Sequence, residues 1–120
     1  MRRKHWEGIS DRIRQRKVII DLEALLKKEK PGEVLTALQN QLGSTNEGII
    51  SRGDVVDILV EHDISGRLAE INPADLNNWF TGNKPLPLET AKAIEDSLTV
   101  IAGKYEPILT RFYQKTEKAK

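Results

Sequence analysis

Residues 71–98 read INPADLNNWFTGNKPLPLETAKAIEDSL, and the punctuation of that string decides the fold. Asn72 stands before Pro73. An Asn side chain accepts from the free N–H groups that open a helix, and proline, with no N–H to satisfy and its φ already set, is favoured at the first helical position. The spacing predicts a helix from Pro73 to about Phe80. It carries Leu76, Trp79 and Phe80 on its inner side and leaves Ala74, Asp75, Asn77 and Asn78 more exposed. Thr81 and Gly82 end it, glycine being the residue that takes a left-handed turn without steric cost. Pro85 and Pro87 then prevent helix until Leu88, after which Ala91, Ile94, Leu98 and Ile101 recur as a buried stripe.

Upstream, Ile64 to Glu70 forms a short segment with Gly66, Leu68 and Ala69, so the chain spells a helix, a tight turn at Ile71 and Asn72, and another helix. A segment from Gly53 to His62 carries Val55, Val56, Leu59 and Val60. Its β-branched residues raise strand propensity, but the acids at Asp54, Asp57 and Glu61 follow a helical spacing. The polar stretch Ser44 to Gly48 reads as a loop. Before it, Val34, Leu35, Leu38 and Leu42 make an amphipathic helix, with Gly43 at the position of a left-handed end. Pro31 and Gly32 interrupt an earlier helical segment, in which Ser10 caps a start at Asp11 and Ile13, Val18, Leu22, Leu25 and Leu26 lie near one face. The expected fold class is all-α: a bundle of about six or seven helices. Within one compact unit, residues 1–48 form a basic arm and helical pair, 49–103 the helix-turn-helix core, and 104–120 a C-terminal helix with a basic tail.

A chain of 120 residues is the size of one ordinary domain. Apolar residues at 38% and charged residues at 31% leave a core built mainly from aliphatic side chains. There is no cysteine, which removes disulfides and thiolate metal sites and fits a reducing cytoplasm. No apolar run approaches the roughly 20 residues that span a bilayer, and the N-terminus lacks a signal-peptide core. The expected location is cytoplasmic, with no membrane partner. The histidines, His5 and His62, have no metal-ligand or triad partner at a recognisable spacing, and the glycines form no phosphate-cradling loop. No enzyme, cofactor, metal site or small-molecule substrate is expected.

Charge is segregated. Residues 1–17 carry Arg2, Arg3, Lys4, Arg12, Arg14, Arg16 and Lys17 against Glu7 and Asp11, a net +5. Residues 50–100 carry Arg52, Arg67, Lys84 and Lys92 against nine acids, a net −5. A basic end suits a phosphate-contacting arm as well as a solvated surface.

The string at 71–98 resembles the second half of the helix-turn-helix in phage repressors and their Cro-like relatives. Ile71, Asn72, Leu76, Trp79, Gly82, Pro85, Pro87, Ala91, Ile94 and Glu95 stand at matching positions, and the similarity extends from Ile64 to Leu98, about a quarter of the chain being well matched. Upstream the family has a Leu-Ala pair several residues before the turn. Here Ser65 and Gly66 stand there and Leu68 and Ala69 come late, so the first helix of the motif is expected to be short or shifted.

The resemblance implies a transcriptional regulator that binds double-stranded DNA as a homodimer, with the helix Pro73 to Phe80 in the major groove. Its early residues, Ala74 and Asp75 among them, would face base edges. Asn77 and Asn78 would present amides to adenine, while Asn72, Thr81 and Lys84 would meet phosphate. For Asn72 the role of helix cap is favoured over a phosphate contact, and Trp79 is expected in the core. The acidity of the region opposes a polyanion, which leaves the phosphate contacts to an arm containing Arg2, Arg3 and Lys4, or gives Asp75 a bond from cytosine. The alternative is a protein-interaction module that keeps a degenerate helix-turn-helix. After Gly103, Tyr105, Ile108, Leu109, Phe112 and Tyr113 recur at helical spacing, as a dimer interface or as a further face of the core.

Overall fold

The computed structural model describes residues 5–15, 17–43 and 50–113, with side chains described from residue 8 onward. The described residues are all-helical and contain no strand. Six α-helices run in order: α1 His5–Arg14, α2 Leu22–Leu26, α3 Pro31–Gly43, α4 Arg52–Glu61, α5 Pro73–Thr81 and α6 Leu88–Ala102. A 3-10 turn, Arg67–Glu70, stands between α4 and α5, and a last helical turn begins at residue 110. The core draws on every element, from Ile9 and Ile13 in α1 through Leu38, Ile58, Leu68, Phe80 and Ile94 to Ile108 and Leu109.

The N-terminal half departs from its periodicity. A single helix from Asp11 to Leu26 would keep Ile13 and Leu25 inward only by leaving a misfit around Arg16, a position outside the described residues. Instead α1 begins earlier, the backbone breaks, and Asp21 starts α2 afresh by accepting from Ala24 N at 3.2 Å. The Gln41 side chain holds the break from α3: Asp21 N donates to its Oε1 at 2.8 Å, and its Nε2 donates to Asp21 O at 3.1 Å. The break buries Ile20 and Leu22 while leaving Ile19 88% exposed. Ser10 is not a cap. It lies buried inside α1 and donates to Glu61 Oε2 of α4 at 2.7 Å, and Arg14 pairs with the same carboxylate.

Pro31 opens α3 rather than only closing what precedes it, since a first-turn proline gives up no hydrogen bond. Gly32 follows because the backbones of α3 and α5 meet there. A Cβ on it would fall 2.7 Å from Trp79 O and 2.9 Å from Phe80 O. The loop expected at Ser44 to Gly48 lies outside the described residues. Ser51 and Asp54 then start α4 with a capping box: Ser51 Oγ accepts from Asp54 N at 3.1 Å while Asp54 Oδ2 accepts from Ser51 N at 2.9 Å. Those two bonds favour helix for a valine-rich segment. Across the core, Ser97 Oγ of α6 donates to Leu59 O of α4 at 2.7 Å.

The C-terminal stripe is not one helical face. Gly103, at φ 80°, ends α6, residues 105–107 are non-helical, and Ile108 and Leu109 turn into the core of their own chain with Phe112 and Tyr113 packed against it. The buried Glu95 carboxylate explains the geometry. It accepts from Leu109 N at 2.9 Å, Thr110 N at 3.0 Å and Thr110 Oγ1 at 2.9 Å, and so caps the last helical turn. A hydrogen bond to Glu95, aided by burial, pushes the Tyr105 phenol above its usual range. Arg111 extends the tether: its Nε donates to Ile108 O at 2.7 Å and its terminal nitrogens donate to the carbonyls of Leu25, Leu26 and Lys28 at the end of α2. Glu95 therefore ties α6 to the C-terminal segment.

Candidate nucleic-acid interface

The helix α5 is built locally. Asn72 Oδ1 accepts from Ala74 N at 2.9 Å, Pro73 occupies the first turn, and Gly82 closes the helix at φ 82°. Trp79 and Phe80 are 7% and 6% exposed and anchor its inner side, with Leu76 packed against the core. The opposite side presents Ala74, Asn77 and Thr81, all exposed and spaced i, i+3 and i+7 along one stripe. Asp75 and Asn78 flank that stripe and are half-buried.

The polar groups of the stripe are engaged within the chain. Asn78 Nδ2 donates to Ala74 O at 3.2 Å, and Thr81 Oγ1 donates to Asn77 O at 2.8 Å, both back onto the turn below. Asn77 Oδ1 accepts from Arg52 Nη1. The guanidinium of Arg52 lies 5.3 Å from the centre of the Phe80 ring, within cation–π range. Lys84 is exposed in the turn after α5, where its backbone N donates to Asn78 O at 3.3 Å. Asn72, Ala74, Asp75, Asn77, Asn78, Thr81 and Lys84 thus gather on or beside one helix. Arg2, Arg3 and Lys4 lie outside the described residues.

Arg52 escaped the sequence reading, which began its helix at Gly53. The pattern Ser51-x-x-Asp54 was the available signal, because a capping box puts Arg52 at the first helical position, at an end of α4 that packs beside α5.

The first helix expected at Ile64 to Glu70 is a single 3-10 turn. Gly66 enters it at φ 75°, and Asp63 gathers the local donors: Ser65 N at 3.0 Å and Ser65 Oγ at 2.6 Å on Oδ1, Leu68 N at 2.9 Å on Oδ2. Burial alone would raise the Asp63 carboxyl, but hydrogen bonds from the Ser65 hydroxyl and from the backbone of Leu68, Ser65 and Arg67 outweigh it and hold it below its ordinary 3.8. With Asn72 already capping α5, too few residues remain for a second turn. Two α-helices from earlier in the sequence pack on α5: α3, whose backbone meets it at Gly32, and α4, joined to it through residues 62–72.

Elsewhere, a cleft of roughly 200 Å³ lies between the start of α3 and the end of α5, walled by Pro31, Gly32, Trp79 and Leu86 with Lys30 and Lys84 at its edge. His62 places Nδ1 2.8 Å from Ile58 O, and its Nε2 is buried without a hydrogen-bond partner among the described residues. No group of three or more His, Cys, Asp or Glu among the described residues is placed to hold a metal ion. No described helix is long and apolar enough to cross a membrane. No family model, curated protein or solved structure matches the chain.

Proposed function

We propose that the chain is a sequence-specific, double-stranded-DNA-binding regulator of the helix-turn-helix kind, similar to phage repressors and Cro-like proteins and acting in the cytoplasm. The observation that carries this is α5: a short helix anchored on its inner side by Trp79 and Phe80, closed at both ends by local caps, and outward-facing along Ala74, Asn77 and Thr81. Such a helix offers a polar edge of the right width for a major groove. Its own segment is acidic, so the phosphate contacts fall to Lys84, in the turn after α5, and to the basic N-terminal residues with Arg2, Arg3 and Lys4. Two copies meet two half-sites about one helical turn apart, because one short helix reads too few base pairs. Of the C-terminal stripe, Ile108 and Leu109 are spent on the chain's own core. The reaction chemistry of an enzyme forms no part of this reading.

Selection of bound sequences from a random DNA pool, at low and at moderate salt, tests it. Enrichment of a short, partly palindromic site supports the proposal; recovery of unenriched DNA at both salts overturns it. A second reading, a protein-interaction module on the same scaffold, is favoured by the internal bonds that occupy Asn77, Asn78 and Thr81, and an unenriched pool would leave it standing.

A further inference from the structure

We infer that Arg52 and Asn77 act as one composite reader that turns hydrogen-bond donors toward the base and selects guanine over adenine, an inference that rests on the DNA-binding reading above. The decisive fact is the direction of one hydrogen bond. A guanidinium donates and never accepts, so the Asn77 atom that Arg52 meets is the carbonyl oxygen Oδ1. That bond engages one of the two lone pairs of Oδ1, the amide's one acceptor atom on the exposed stripe of α5, and sets a cation beside the other, which disfavours a second donor there. What Asn77 keeps is Nδ2 with its two N–H donors, and what Arg52 adds is the remainder of its fork.

Arg52 is placed rather than loose. The Ser51 and Asp54 capping box sets its backbone at the first turn of α4, and the Phe80 ring, itself buried, lies under the guanidinium at 5.3 Å. A cation held by a ring face and an amide oxygen keeps its plane, so its free donors point in a constant direction. Arg67, the cation of the 3-10 turn, is paired instead with Glu89 at 2.6 Å.

The major-groove edges of the purines differ in one group. Guanine offers two acceptors, N7 and O6; adenine offers the acceptor N7 beside the donor N6. A free asparagine amide, one donor and one acceptor, matches adenine. With Oδ1 already occupied, the same side chain meets adenine N6 with a donor and guanine O6 with a partner. Arg52 therefore reverses the preference that Asn77 would have alone.

The test is selection from a random duplex pool with the wild-type protein and with Arg52→Met, which keeps an unbranched apolar stem over Phe80 and frees Oδ1. Thermal melting shows that the two proteins are equally folded. The expected result is a wild-type site with guanine at one position of each half-site, where Arg52→Met shifts the guanine-to-adenine ratio about tenfold or more toward adenine while the other positions are unchanged. Should the variant fail to fold, the wild-type protein on its selected duplex, with 7-deazaguanine replacing each guanine in turn, reads the same contact; loss of binding at one guanine per half-site is expected. A selected site in which no position responds to either change overturns the composite reader and leaves DNA binding intact. So does a uniform loss across all sequences with a shallower salt dependence, which would make Arg52 a phosphate contact. A wild-type pool without enrichment overturns the DNA-binding reading and this inference with it.

Discussion

The two ends of the helical core are held by different means. Helix α5 and the start of α6 depend on residues adjacent in sequence: Asn72 and Pro73 at one end, Gly82 at the other, and side chains at helical spacing pressed inward. The last described segment, 104–113, depends on side chains far away in sequence. Glu95 caps it from α6 and Arg111 ties it to the carbonyls at the end of α2, 83 to 86 residues earlier in the chain. Local caps contribute in small increments spread over many residues. A long-range cap concentrates its contribution in one group, so removing that group exposes several buried donors at once.

That contrast breaks hardest at Trp79. Truncation to alanine should cost roughly 3–5 kcal/mol, because the 7%-exposed indole joins α5 to the core and nothing nearby can refill its volume. Denaturant unfolding measures it, and a loss below about 1 kcal/mol would show that α5 is held by its caps alone. Glu95→Ala comes next, at about 3 kcal/mol, since it strands the amides of Leu109 and Thr110 and the Thr110 hydroxyl. Hydrogen exchange should rise at those two amides while the α5 amides keep their protection. Equal acceleration in both regions would erase the distinction between them.

Arg111→Met should cost about 2 kcal/mol through its bonds to α2 carbonyls. Its signature is local loosening at both α2 and residues 110–113, seen together in proteolysis or exchange; loosening at only one of them would contradict a shared tether. The smallest effect belongs to Asp63, which organises the 3-10 turn. Its folded pKa lies below 3.8, so its contribution is present above that pH and disappears as pH falls through the lower folded value. Asp63→Asn should cost about 1 kcal/mol at neutral pH and flatten the acid limb of the stability curve below about pH 3.8. An unchanged acid limb would assign that limb to other carboxylates.

Residues 71–103 were legible because their information is local. Asn-Pro starts, Gly stops and the Ala91, Ile94, Leu98, Ile101 stripe each act within a turn or two, and the observed bounds of α5 and α6 follow them. The place of Asn77 on an exposed face was equally readable, while its hydrogen-bond partner was not. Arg52 lies 25 residues upstream, and no periodicity connects the two. The N-terminal break was hidden for a related reason. Val18 and Leu22 satisfy a helical spacing while Val18, Ile20 and Leu22 satisfy an extended one, and the Gln41 amide from another helix chooses between them.

By itself the sequence determined where α5 and α6 start and stop, which face of α5 is apolar and which is polar, and that the described residues are all-helical, because caps, prolines, glycines and apolar spacing act over one or two turns. Only the tertiary structure decided that Ile108 and Leu109 of the C-terminal stripe serve the chain's own core, that Glu95 is a buried cap, and that Arg52 donates to the acceptor of Asn77. Each of those outcomes is a choice among partners distant in sequence. The choice favours the pairing that leaves the fewest buried donors and acceptors unmet, and that condition exists only once the helices have packed.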